Sequence, residues 1–495
     1  EATGAVTVNG TGLIDANGVM GSGGVNMRSS GGSGGGIYIQ CNTLRGTGTV
    51  RAEGGGSGSA SGVAAGSGGG GRVAIVFDKT AQRSYGGSVP MILVGAGATP
   101  VGLETYQGDG GSLHVSDPIV LPATFRGGAT LSLVEGIEWE LGSAAFSNGT
   151  YTLAANMTNV SVTGDMLLYR AGLVLPAHAD LQCANLLLTN SATLTVNAGT
   201  TNATWPTYTA RVRVDGDMNV HAGCTVYPKS SSDAAASDPP NGGLVLFDIG
   251  QNATIHAGGA FNADGLGYGG GNWTGHANGY GQGGGYGAYV EPGAGQNAGG
   301  GGYGGTGRTA YAYGGNGGSG GAPYGSTNAP TTPGSGGGGA IDTTGSAGGG
   351  AIWIRAGGDV TVNGTLSANG PDTNTRGGAG SGGGIFVTCL KFKGDSGAIV
   401  RANGGSNTAD TGGGGGGGRI AIWQGALADI DNFLATGARS RNLITTRYDE
   451  YDYVNGDYKG NPLSVTLGSG GTGGSDGTAY FYNMPPPAGT VIMLF

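Results

Sequence analysis

The chain has 495 residues, of which 116 are glycine; 37% are hydrophobic, only 11% are charged, and the formal net charge is -9. Glycine at about three times its usual share of roughly 7%, with charge at less than half its usual level, excludes an ordinary globular composition. It also excludes the disordered class, which combines low hydrophobicity with high charge. No Lys/Arg-rich run is present, so nucleic acid is not an expected partner. No 18-residue apolar stretch is present either, so no helical membrane span is expected.

Ala5-Val6-Thr7-Val8 alternates as a strand does. The tract Gly32–Gly36 then leads into Ile37-Tyr38-Ile39-Gln40-Cys41, and Gly68–Gly71 leads into Arg72-Val73-Ala74-Ile75. Between them Thr49-Val50-Arg51-Ala52 forms a second short strand that runs into glycine. Gly108–Gly111 is a turn into Ser112-Leu113-His114-Val115. Residues 1–120 thus read as one glycine-rich β module. Residues 121–265 are strand-rich without long glycine runs, with period-two alternation in Thr193–Asn197 and Ala210–Asp215.

Residues 266–348 form a Gly/Tyr-rich insertion; the stretch 266–350 holds 36 glycines and eight tyrosines. A flexible linker would be nearly free of aromatics. The expectation is therefore extended glycine segments packed side by side through backbone hydrogen bonds, with tyrosines at the edges. The alternative is a long, weakly ordered loop. Residues 349–495 repeat the first module: Gly382–Gly384 enters Ile385-Phe386-Val387-Thr388-Cys389, and Gly412–Gly418 enters Arg419-Ile420-Ala421-Ile422. The one expected helix is Ala426–Ala435, stopped by Gly437.

Strand, polar turn, strand and glycine recur at unequal spacing, with insertions of very different length. That pattern favours an all-β parallel β-helix, or solenoid, over a sandwich or propeller. Each rung needs only its inward-facing residues, and insertions leave at turns. Rungs about 4.8 Å apart let Asn and Thr form ladders at those turns.

Candidate chemistry is sparse. The G-x-S-x-G matches at Ser33, Ser319 and Ser475 lack the strand–turn–helix context of a nucleophile elbow. Asp215 and Asp217 share one face if they lie on a strand, the arrangement of a paired-carboxylate glycosidase; Asp-Gly is equally a turn signal. Asp449, Glu450, Asp452 and Asp457 form the densest acidic cluster, a calcium candidate or a solvated loop. No other cofactor is expected. His221 and His256 share a Val/Ile-His-Ala-Gly context, which reads as a repeat position. Cys41, Cys183, Cys224 and Cys389 are too few for a disulfide scaffold, and buried free thiols are expected. Sequons at Asn9, Asn148, Asn156, Asn159, Asn202, Asn252, Asn272 and Asn363 are turn formers as well as glycan acceptors.

The runs around Ile385 and Arg419 resemble large secreted glycine-rich β-helix proteins and adhesin-type surface proteins of environmental bacteria. The resemblance implies an extracellular structural or adhesive role and brings no catalytic residue to carry over. Glycine-rich domains of some receptor kinases similarly pack extended glycine helices. A first residue of Glu rather than Met, low charge and few lysines suit a secreted or cell-surface product. Three readings follow: a homopolymeric structural subunit, a carbohydrate-active enzyme or binding module, and an adhesin with possible glycan partners. For the first, Val6, Val8, Val491, Ile492, Leu494 and Phe495 are the expected assembly residues, because uncharged β-prone termini invite strand addition.

Overall fold

The computed structural model describes residues 1–22, 29–58, 65–98, 107–133, 139–200, 208–230, 243–272, 277–288, 297–311, 317–341, 343–395, 397–408, 412–436, 444–447, 464–466 and 473–484. The chain divides into two compact units, Glu1–Thr195 and Val196–Phe495. Both are parallel β-solenoids, as the repeat predicts.

In the first unit, Gly36–Cys41 pairs with Arg72–Phe77, which pairs with Gly111–Val115 and then Ala129–Leu133, all parallel. A second side stacks Leu13–Asp15, Thr49–Arg51 and Met91–Leu93. Alternation sends Val73, Ile75 and Phe77 into the core and Arg72 out to solvent. Farther along, Phe125 and Phe146 stack inside the coil with centroids 4.8 Å apart, and Trp139 packs edge-on to both.

Helix α1, Lys79–Tyr85, is not among the elements expected from the sequence. The Asp78 side chain caps it by accepting the Ala81 amide at 2.8 Å, and Gly86 ends it at a φ of 58°. Its buried Gln82 accepts the Leu44 amide and donates to the Leu44 carbonyl, which docks the helix on a rung.

In the second unit, Ala210–Val214, Val245–Ile249, Ala351–Ala356, Gly384–Cys389, Arg419–Gln424 and Thr478–Asn483 stack in parallel. Ile444–Arg447 pairs antiparallel with the last of these. One inward column, Val212, Phe247, Ile354, Val387, Ile422 and Phe481, is aligned in register and buried. Burying each such side chain contributes about 1.5–3 kcal/mol. The strand pairs that repeat in sequence repeat in register: Gly36 faces Arg72, and Gly384 faces Arg419.

Turns are stitched by side-chain ladders. Asp217 accepts the Asn252 amide at 3.0 Å, Asn252 accepts the Asp359 amide at 3.0 Å, and Asp359 pairs with Lys393. On another turn Asp264 accepts the Asn369 amide, and Asn369 accepts the Asn403 amide at 2.7 Å. These bonds satisfy turn amides that strand pairing leaves over.

The glycine segments pack as expected. Gly299 donates to Tyr286, Gly338 to Gly299 and Gly378 to Gly338, each at 2.9 Å, so successive extended segments are cross-linked by their backbones. Tyrosines are not confined to the edges, however. Tyr286 and Tyr311 are exposed, while Tyr303 is fully buried under the Arg419 guanidinium, 5.6 Å from its ring centroid. Thr332 donates to the Tyr303 hydroxyl at 3.0 Å, and Arg419 donates to the Tyr324 carbonyl at 2.9 Å. Burial holds the Tyr303 hydroxyl well above the usual phenol range, so it stays neutral.

The expected helix is α2, Leu427–Thr436, one residue later at each end. It covers the outer sheet face through Leu427, Ile430 and Phe433, packed on Phe386, Trp423 and Tyr482. All four cysteines are buried and free.

Candidate functional site

A row of paired charges lies on the outer face of the second unit's long sheet. Register places Arg213 beside Asp248 and Asp248 beside Arg355 on three consecutive rungs. Arg355 donates to Asp248 at 2.8 Å and to Asp431 of α2 at 2.6 Å, while Arg213 donates to Asp215 at 3.1 Å. Asp431 first, and Asp248 after it, hold the Arg355 guanidinium firmly charged. Arg213, Asp215, Asp248 and Arg355 border a groove of about 360 Å³ that Leu427 walls on the helix side. Trp353, two residues before Arg355 on the same strand, projects from the same face. It is half-buried against Phe386 and Tyr208, each with its ring centroid 6.1 Å away.

The sequence pair Asp215/Asp217 lies in the turn after Ala210–Val214 rather than on the strand. Asp215 joins the groove through Arg213, whereas Asp217 accepts both the amide and the side chain of Asn252. Asp248, Arg355 and Asp431 were not picked out from the sequence. Their bonds span 107 and 76 residues, and no local pattern announces them.

Asp449, Glu450, Asp452 and Asp457 lie outside the described residues, as do Val491, Ile492, Leu494 and Phe495. Among the described residues no group of three or more His, Cys, Asp or Glu could hold a metal ion, and no helix is long and apolar enough to cross a membrane. Of the remaining assembly candidates, Val8 is 6% exposed and faces the core, whereas Val6 is half-buried on Ala5–Thr7.

His221 and His256 stack on adjacent rungs with centroids 4.2 Å apart and planes 19° apart, and the next rung places Asn363 after Val362. Burial, and then the neighbouring His221, holds the His256 imidazole below its usual 6.5. The unfolded chain therefore takes up this proton first. The contribution to stability is complete above about 6.5 and is lost as pH falls through that value toward the folded one. Denaturant midpoints are expected to drop between about pH 7.5 and about pH 5, and His256→Asn, which extends the Asn363 ladder, should shrink that drop. An unchanged drop in the variant would assign the pH dependence to other groups.

No protein-family model matches the sequence, and comparisons with curated proteins and with solved structures found no match.

Proposed function

We propose that the chain is a structural subunit of an extracellular assembly that grows by adding one solenoid end to another. The observation that carries this reading is a rung edge of the first unit whose strands have one pairing partner each among the described residues and which bears exposed apolar side chains. Ala5–Thr7, Leu13–Asp15 and Gly36–Cys41 each have a single neighbouring strand among the described residues. Proteins that remain monomeric blunt such edges with Lys, Pro or bulges. Residues 1–22 contain neither Lys nor Pro, and their only charged side chains are Glu1 and Asp15. Asp15 is already paired with Arg51 at 2.7 Å. Leu13, Val19, Met20 and Tyr38 are exposed beside these strands, at 47%, 81%, 68% and 61%. A rung of the same kind covers such an edge through backbone hydrogen bonds, and repeated head-to-tail addition gives an open filament. The turn ladders and glycine packing support the same role, because they spend polar groups on rigidity along the coil.

Electron microscopy and light scattering over a concentration series test the reading. Fibres or end-to-end rods are expected. Thr7→Lys with Leu13→Lys, both at exposed edge positions, should return the protein to monomers without changing its circular dichroism. An unaltered protein that stays monomeric at high concentration rules out the assembly.

A further inference from the structure

The groove beside α2 has a chemistry that architecture alone does not require. We propose that it binds a neutral polysaccharide, with one sugar ring lying on Trp353 and its hydroxyl groups bridging the Arg–Asp pairs. This goes beyond the assembly reading and does not depend on it.

Three observations select the ligand class. First, the charges are already matched to one another: Arg355 lies between Asp248 and Asp431, and Arg213 lies on Asp215. Each guanidinium carries five N–H donors and each carboxylate about four acceptor positions, so these bonds leave capacity of both kinds. A hydroxyl group donates and accepts at once, and it can insert between a guanidinium and a carboxylate without leaving either unpaired. Second, the groove is lined by two arginines and two aspartates, so it carries no net charge. An acidic chain gains no net attraction there, and its charges would compete with the existing pairs, whereas a neutral one leaves them in place. Third, a part-exposed aromatic adjoins the groove without lining it: Trp353 packs against the cluster beneath α2, beside the polar row. Trp353 and Arg355 share a strand face, and the Tyr208 ring meets Trp353 edge-on at an interplanar angle of 73°. A pyranose has apolar C–H faces and a polar equatorial rim, which fits a flat ring flanked by such a row. The groove, at about 360 Å³, lies within the usual range of ligand sites, roughly 300–1,000 Å³.

Calorimetric titration with cellohexaose, xylohexaose and mannohexaose, in parallel with hexagalacturonate, tests the proposal on the full chain. At least one neutral hexasaccharide is expected to bind and to change tryptophan fluorescence. Trp353→Ala and Arg213→Gln should each weaken that binding about tenfold. Arg213 is half exposed, so its variant keeps the fold even if the loss of Trp353 disturbs packing. Tyr38→Ser, an exposed aromatic in the other unit, should bind as the unaltered protein does. No binding of any neutral hexasaccharide overturns the proposal, as does binding that neither groove variant weakens. Tighter binding of hexagalacturonate overturns the choice of a neutral ligand.

Discussion

Gly378→Ala is expected to destabilise the Val196–Phe495 unit by about 3 kcal/mol or more, because the added carbon has nowhere to go. A Cβ at Gly378 would stand 1.9 Å from the Gly299 carbonyl oxygen and 2.6 Å from its carbon. Both atoms are backbone, so relief requires a whole segment to shift. That shift breaks bonds on either side, since Gly378 donates to Gly338 and Gly338 donates to Gly299. Gly36→Ala is the matched control. It lies at the start of an edge strand with nothing within 4 Å of its added carbon. Its stability should stay level or rise by about 0.5 kcal/mol, as the unfolded chain loses freedom. Guanidinium titration followed by hydrogen exchange over residues 297–302 and 334–339 reads both effects. Equal midpoints for the two variants would mean that the glycine packing contributes nothing to stability.

Trp423→Ala should cost about 3–5 kcal/mol and release α2 from the sheet. Trp423 is fully buried, stacks on Tyr482 at 4.2 Å and meets Phe433 of α2 at 5.2 Å. Its indole N–H donates to the Asn328 carbonyl at 2.8 Å. The one ring therefore fastens both a helix and a loop to the outer face. Exchange protection should fall at Leu427–Thr436 and around Asn328, with the inward column Val387–Ile422 less affected. Trp423→Phe keeps the stacking and loses the hydrogen bond, so about 1–2 kcal/mol is expected. Because α2 carries Asp431 and Leu427, the alanine variant should also open the groove. Unaltered protection of α2 in that variant would show that the helix is held by other contacts.

Much of the fold was legible because it is written in local periods. Alternation in Arg72–Phe77 and the glycine tract before it are short-range signals, and stacking identical rungs brings their partners into line. The helix at Leu427–Thr436 was legible for the same reason, through its run of helix formers and the glycine after it. The helix at Lys79–Tyr85 was missed because its main anchor, Gln82 on Leu44, lies 38 residues away. Tyrosine burial was misjudged on the same ground. Nothing around Tyr303 in the sequence reveals that Arg419 lies over its ring.

By itself, then, the sequence determined the class of object: a sparsely charged, glycine-punctuated β-solenoid whose rungs repeat and whose glycine segments pack. Period and composition suffice for that, because a rung places the same demands on its residues wherever it stands in the stack. Only the tertiary structure decided which polar groups meet. Register brought Arg213, Asp248 and Arg355 onto one face, and α2 supplied Asp431 from beyond them. It also placed Asp217 in a turn ladder with Asn252, 35 residues away, rather than beside Asp215 on a strand. The physical reason is the length of the rung. Neighbours across a solenoid are tens of residues apart in sequence, so side-chain chemistry between rungs depends on how insertions shift the register, and no local window contains that information.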